Sequence, residues 1–367
     1  MSSEIDRFNY EHPLESIAQE PPSARDGARL LHLLPGDAPP TADRWFRELP
    51  GLLREGDLLV LNEARVRPAR LVGFRSSGGR VSVLVTEAEG RLATVLLGAR
   101  GTCLVGEQLQ VEGEPWGIVA SLGAGRFEVE ARGERDIESL MADVGRMPLP
   151  PYIRRESQSD PRDGSDRERY QTVFAQAEAA TAVAAPTAGL HFTKDLLGAL
   201  HERGVRTARL RLDVGEGTFR PVRVERLADH EMHVEHFEIP EATVAAFAET
   251  RAAGGRVVAV GTTVVRSLES VVTDDGQRLA SGPGETQLFI RPGHFFRSVD
   301  VLFTNFHQPR STLLVLATAF GGYDRVMSAY RHAVDSGYRL FSYGDAMLIE
   351  PCVQGQTGRA PGQLECR

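Results

Sequence analysis

The sequence predicts a mixed α/β fold: an α/β domain interrupted by a small antiparallel β module, either a barrel or a sandwich. Two observations predict it. From Ala69 onward ARLVGFR, RVSVLVTEAE, LATVLLGA, EQLQVEG, WGIVASL and RFEVEARG are short apolar or alternating runs parted by glycine-rich turns such as SSGG, the rhythm of antiparallel strands. Beyond MPLPPYIRR, helical and strand-like patterns alternate: KDLLGALHERG precedes TARLRLDV, and EATVAAFAETRAAGG precedes RVVAVG. That alternation suits an α/β sheet.

In chain order, a loop-rich EPPSARDGARLLHL leads to a strand over Asp57–Asn62, and the β module follows over 69–147. The prolines of MPLPPYIRR, Met147–Arg155, enforce extended backbone, and the charged ESQSDPRDGSDRER is expected to be a mobile loop. TVVRSLES, STLLVLATAF and YDRVMSAYRHAVDSG read as helices before a closing strand, DAMLIE. The expected organisation is a discontinuous α/β domain, 1–68 with 148–351, an insert over 69–147 and a disordered glycine- and glutamine-rich tail over 352–367.

At 367 residues and 41% hydrophobic, the chain can bury a sizeable core. No charge-free apolar run approaches a membrane span, and MSSEIDRFNYEH lacks the basic-then-apolar order of a secretion signal, so no membrane association is expected. Cys103, Cys352 and Cys366 fit neither a disulfide framework nor a zinc cluster, which points to the reducing cytoplasm. A net charge of −8 argues against gripping nucleic acid by bulk electrostatics but allows local basic patches. Of 42 basic residues 41 are arginine and only Lys194 is lysine, a bias consistent with codon usage.

The densest signal is AAPTAGLHFT, Ala184–Thr193, where Pro186, Thr187, Ala188 and Gly189 form a tight turn before His191, and Thr193 can cap the next helix. LDVGEGTFRPV runs a strand into Gly215, Glu216, Gly217 and Thr218, and VVAVGTTVVRSLES runs one into Gly261, Thr262 and Thr263 with Arg266 a turn later. In an open sheet such strand ends face one crevice. VDVLFTNFHQPRSTLL repeats the plan with Asn305 and His307, and Ser311 starts a helix. Either segment alone could be an ordinary turn; two imidazoles and a guanidinium at such turns make a ligand crevice the better reading. His230, His233 and His236 lack the spacing of a helical zinc motif. No metal is expected, and Glu235 with one of these histidines is expected to reach substrate. RVRPAR, with Arg65 and Arg67, and PPYIRR with RERYQTVFA, carrying Tyr152, Arg154, Arg155 and Tyr170, combine guanidiniums with rings that could hold phosphates and stack bases.

LPPYIRR, RYQTVFA, APTAGLHFT, VGEGTFRPV, MHVEHFEIP, AVGTTVVRSLES, TNFHQPRSTLL and FSYGDAMLI, in this order and register, resemble the S-adenosylmethionine:tRNA ribosyltransferase-isomerases of queuosine biosynthesis. The likeness runs from about Phe8 to Pro351. It implies an α/β domain with an inserted β-barrel. It also implies transfer of the ribosyl part of S-adenosylmethionine to 7-aminomethyl-7-deazaguanine at the tRNA wobble position, giving epoxyqueuosine, adenine and methionine. No cofactor beyond that co-substrate is implied. The expected protein is a cytoplasmic monomer whose partners are S-adenosylmethionine and the precursor-bearing tRNA.

For such chemistry the site needs a base, an acid for adenine, a clamp for the methionine carboxylate and shelter from water. His191 or His307 would move the proton, Arg266 with Thr262 and Thr263 would hold an anionic group, and Thr187 with Gly189 would shape the nucleoside pocket. Asp213 and Glu235 complete the catalytic candidates. The likeness departs at LDVGEGTF, which carries Asp213 where the family pattern has histidine and Glu216 where it has a small residue. AEAATAV is also looser than the family's glycine-serine version. A carboxylate at 213 could pair with a sulfonium, or the substrate could differ. Two alternatives therefore stand beside the leading reading: an enzyme of the same scaffold acting on a free deazapurine or other small nucleophile, and a non-catalytic RNA-binding relative.

Overall fold

LLVLN, VVAV, VLFTN and AMLI are unbroken runs of buried residues, the pattern of strands covered on both faces. They form the middle of a nine-stranded sheet in a computed structural model that describes residues 3–36, 41–156, 160–176, 182–215, 222 and 224–351. The predicted Gly217 and Thr218, with Glu216, most of AEAATAV and the tail over 352–367, lie outside the described residues.

The chain divides into two compact units, one of residues 1–65 with 172–367, the other Val66–Gln171. The first unit holds β1 (Arg29–Leu33), β2 (Thr41–Trp45) and β3 (Leu58–Asn62), with a short α1 (Leu49–Leu52). The second holds β4 (Arg70–Arg75), β5 (Arg80–Glu89), β6 (Leu92–Ala99), β7 (Gln108–Val111), β8 (Glu114–Gly123) and β9 (Arg126–Ala131). Two helices complete it, α2 (Ile137–Val144) and α3 (Asp163–Arg169). Returning to the first unit, the chain forms α4 (Lys194–Glu202), β10 (Arg206–Leu212), β11 (Glu235–Ile239), α5 (Glu241–Ala252), β12 (Val257–Val260) and α6 (Thr262–Val271). It ends with β13 (Gly282–Thr286), β14 (Val301–Asn305), α7 (Thr312–Gly321), α8 (Tyr323–Asp335) and β15 (Ala346–Ile349).

The strand order in the large sheet is β13-β11-β10-β3-β12-β14-β15-β1-β2. Strands β10, β3, β12 and β14 are mutually parallel, while β15 runs antiparallel to β14. The edge strands β13, GPGET, and β2, TADRW, carry the proline, glycine and exposed polar residues that a central strand could not. Helices α5 and α6 pack on β3 and β10. Thr193 Oγ1 accepts the Leu196 amide at 3.0 Å, capping α4, and Ser311 Oγ accepts that of Leu314 at 3.2 Å, capping α7.

In the other unit six antiparallel strands close a barrel in the order β4-β5-β6-β9-β8-β7. Alternation along β5 sends Val81, Val83 and Val85 inward onto Trp116, and Ile137, Leu140 and Met141 of α2 join the same core. The charged stretch expected to be a mobile loop instead contains α3. Its anchor is Asp166, 2% exposed, which takes a two-pronged hydrogen bond from Arg155 at 2.6 and 3.0 Å. Asp160 organises the turn before it, accepting from the Glu156 and Arg162 amides at 2.8 and 3.0 Å. A polar composition read as solvation thus encodes a buried charge pair.

Candidate active site

Parallel pairing brings the carboxyl ends of β3, β10, β12 and β14 to one edge of the sheet, at Asn62, Leu212, Val260 and Asn305. Because β15 runs the other way, its first residue, Ala346, pairs with Asn305. This is the edge where open α/β sheets bind ligands.

Onto it folds the AAPTAGLHFT segment, whose Thr187–His191 forms a 3-10 turn with Gly189, Leu190 and His191 buried. Gly189 has to be glycine: a Cβ there would lie 2.7 Å from Thr172 Cγ2 and 2.8 Å from Phe174 Cζ. A Cβ on Gly261, whose φ of +92° turns β12 into α6, would lie 3.5 Å from that of Ala188. Two of the predicted glycine turns are therefore neighbours. The Leu190 carbonyl accepts from Arg25 Nη1 at 3.2 Å.

His191, 2% exposed, stacks at tilted and edge-on angles against Phe46 and Phe303. Asn305 Nδ2 donates to its Nε2 at 3.2 Å. An amide nitrogen can only donate, which assigns the ring proton to Nδ1. Burial pushes the imidazole down to about 4 against the opposing effect of a hydrogen bond to the Arg25 backbone, so it is neutral at pH 7. The same amide nitrogen donates to the Phe341 carbonyl at 3.2 Å, and Asn305 Oδ1 is buried with no hydrogen-bond partner.

His307 follows two residues later but turns elsewhere. Its Nε2 is hydrogen-bonded to Thr304 Oγ1 at 2.8 Å, its amide donates to Tyr330 Oη at 2.9 Å, and its carbonyl accepts from Tyr10 Oη at 2.6 Å. Burial lowers its pKa to about 3 and raises those of both tyrosines. Arg266 points toward β11: its Nη1 pairs with buried Glu235, its Nε donates to the Leu288 carbonyl at 3.0 Å, and its Nη2 is buried without a partner. Among the described residues no hydrogen bond or ring contact joins His191, His307 and Arg266 to one another.

Thr262 is buried at the start of α6, and half-buried Thr263 accepts from Asn62 Nδ2 at 3.3 Å. Asp213 is half-buried, 3.8 Å from Arg211, with its amide on the His236 carbonyl at 3.0 Å. Gly215 is half-buried just beyond it, and Pro186 is buried beside half-buried Thr187. Sequence reasoning missed Asn62. Its Nδ2 donates to the Leu212 carbonyl at 3.0 Å and its Oδ1 accepts from the Leu212 and Ala64 amides, locking β3, β10 and α6 together at the edge. The available signal was a lone amide closing an otherwise apolar strand, LLVLN.

His236 is exposed 3.4 Å from Glu285, and His230 lies edge-on to Phe289. Among the described residues no group of histidine, cysteine or carboxylate side chains could hold a metal, and no helix is long and apolar enough to cross a membrane. Of the nucleic-acid candidates, Arg65 and Arg154 are exposed and Arg67 and Tyr152 half-buried. Arg155 is committed to Asp166, and Tyr170 is fully buried, with no face left to stack on a base.

A nine-stranded α/β unit, interrupted in sequence by a closed six-stranded barrel, carries the neighbouring Ala188 and Gly261 turns at the carboxyl edge of its parallel strands, the edge at which α/β enzymes bind their ligands. The chain belongs to the queuosine biosynthesis protein family, whose profile matches residues 5–349. It is 49% identical over 347 residues to the S-adenosylmethionine:tRNA ribosyltransferase-isomerase of Anaeromyxobacter dehalogenans strain 2CP-C, covering 93% of this chain and 98% of that one. It is 46% identical over 359 residues to the enzyme of the same name from Dechloromonas aromatica, covering 95% and 97%. Among solved structures it resembles the S-adenosylmethionine tRNA ribosyltransferase of Thermotoga maritima, with 35% identity, a TM-score of 0.52 and coverage of 94% and 99%.

Proposed function

We propose that this protein transfers and isomerises the ribosyl group of S-adenosylmethionine onto 7-aminomethyl-7-deazaguanine at the wobble position of tRNA, releasing adenine and methionine and leaving epoxyqueuosine. One observation carries the reading: the family match is unbroken across both units, barrel as well as sheet. The protein acts as a cytoplasmic monomer, where its RNA partner resides, and requires no cofactor beyond the co-substrate.

The positive sulfonium acidifies the neighbouring 5′ carbon. A base removes a proton there, the C4′–O4′ bond breaks, O4′ becomes the C1′ carbonyl oxygen, and adenine leaves C1′ taking up a proton; the aminomethyl nitrogen, losing a proton, adds to C4′ of the vinyl sulfonium so formed. The C5′ carbanion that results closes onto C1′, and the C1′ alkoxide displaces methionine from C5′ and closes the epoxide. His191 is the leading proton carrier because it is neutral and sits at the sheet edge beside Asn305 and the Gly261 turn. Asn305 Oδ1 offers a buried acceptor for an N–H or O–H of the nucleoside, and Arg266 Nη2 a buried donor for the methionine carboxylate. Thr262, Thr263, Thr187 and Gly189 line the co-substrate pocket, and His307, Asp213 and Glu235 support it. In cells lacking the protein, mass spectrometry of wobble nucleosides will show accumulation of the unribosylated deazaguanine; normal queuosine levels would refute the reading.

A further inference from the structure

The chain has two tryptophans, and the fold treats them oppositely. Trp116 is fully buried in the barrel core, while Trp45 is 44% exposed as the last residue of the edge strand β2. Its position in the sheet gives that exposure a meaning. Asn305, at the carboxyl end of β14, pairs with Ala346, Ala346 pairs with Leu30, and Leu30 pairs with Arg44. Three strand spacings of about 4.8 Å therefore carry the ligand edge across to Arg44 and Trp45. The next residue, Phe46, is fully buried, with its ring centroid 5.3 Å from that of His191. One step of chain separates a ring that walls the candidate site from a ring that faces water.

Guanidiniums flank the exposed ring. Arg47 Cζ lies 5.3 Å from the centre of the indole, and Arg44 and Arg47 are both exposed. Among the described residues no carboxylate pairs with either of them. The acids nearby in sequence are turned to other work: Glu48 Oε1 accepts the Trp45 amide at 3.3 Å, and Asp43 is held by Arg29, His332 and Tyr338. An indole offers a broad face to any unpaired base, and guanidiniums match the oxygens of the phosphates on either side of it. A chain of net charge −8 has to hold RNA through such local groups, because no bulk attraction does it.

We infer that Trp45 stacks on an unpaired base of the RNA acceptor beside the nucleotide that reacts, and that Arg47 and Arg44 hold the phosphates flanking that base. The inference rests on the reading that tRNA is the acceptor and reacts beside His191. A free deazapurine would bring no phosphate for these cations to hold.

Because Trp116 is sealed in the barrel, acrylamide quenching of tryptophan fluorescence reports on Trp45. Precursor-bearing tRNA should shield it, and the free deazaguanine should not. In anisotropy titrations with labelled tRNA, Trp45→Ala should weaken binding about tenfold or more and leave the slope of log affinity against log salt unchanged. Arg47→Ala should lower that slope by about one. Trp45→Phe, which keeps a stacking face, should retain most of the affinity, and affinity for S-adenosylmethionine should be the same in all three variants. A Trp45→Phe protein as weak as Trp45→Ala would overturn stacking. Wild-type affinity and slope in both Trp45→Ala and Arg47→Ala overturns this site and leaves the proposed activity standing. A wild-type protein that does not bind the tRNA overturns both. Should raising the protein concentration alone shield Trp45 while Trp45→Ala keeps its tRNA affinity, the edge is a contact between copies of this chain and the RNA assignment falls.

Discussion

Asn305 spans 114 positions of sequence to donate from one amide nitrogen to Nε2 of His191, while the same nitrogen holds the Phe341 carbonyl. Phe341 is buried with a φ of +71°, a left-handed conformation that a phenylalanine adopts only when its surroundings impose it. Three loops are therefore set by one carboxamide at the end of β14.

Asn305→Ala should lower stability by about 1–3 kcal/mol by stranding two buried acceptors. His191→Ala should lower single-turnover adenine release by about 10²–10⁴-fold with little change in S-adenosylmethionine affinity. The two are coupled, so in unfolding free energy the double variant should lose less than the sum of the losses of the two single variants. Urea unfolding and rapid-quench kinetics check both; full turnover by His191→Ala removes it from proton transfer.

Arg266→Lys keeps the ion pair with Glu235 and removes the donor that Nη2 presents. Affinity for S-adenosylmethionine should fall about 10–100-fold, read by calorimetry, with a smaller change in the rate of the bound complex. Unchanged affinity would show that Nη2 meets no ligand.

Acid should destabilise the first unit before the carboxylates titrate. His191 and His307 are held neutral, down to about 4 and about 3, while in the unfolded chain each takes a proton near 6.5. The unfolded state binds more protons in that window, so stability falls as pH drops from about 6.5 toward 4. His307→Gln should flatten the dependence of unfolding free energy on pH by about one proton. An unchanged slope would contradict the buried neutral imidazole.

The opposite edge of the sheet is pinned by Arg256, which forks onto Asp57 at 3.0 and 2.6 Å and reaches Glu350 at 2.8 Å. Asp57 is 1% exposed, and Asp57→Ala leaves Arg256 with Glu350 alone and strands the Arg54 amide, so it should lower stability by about 1–3 kcal/mol. Turnover by the folded fraction should be unchanged. Loss of turnover without loss of stability would mean that this edge, too, shapes the site.

The sequence made the sheet and barrel legible because LLVLN and VVAV are unbroken apolar runs and RVSVLV alternates, and because PTAGLH and VGTT mark turns that only glycine can make. Less legible was where side chains point. His307 and Asn305 sit two apart, yet His307 bonds Thr304 and Asn305 bonds His191, an outcome decided by long-range packing against Tyr330 and Phe46. α3 was hidden for the same reason: its anchor, Arg155 on Asp166, reads in sequence as two more charges on a polar loop.

The most direct test is adenine release from S-adenosylmethionine, measured with tRNA bearing 7-aminomethyl-7-deazaguanine, with the free deazaguanine, and with neither. Release that requires the modified tRNA is the predicted result. Release with the free base alone would indicate a small-molecule transferase on the same scaffold, and no release under any condition would contradict catalysis by this protein.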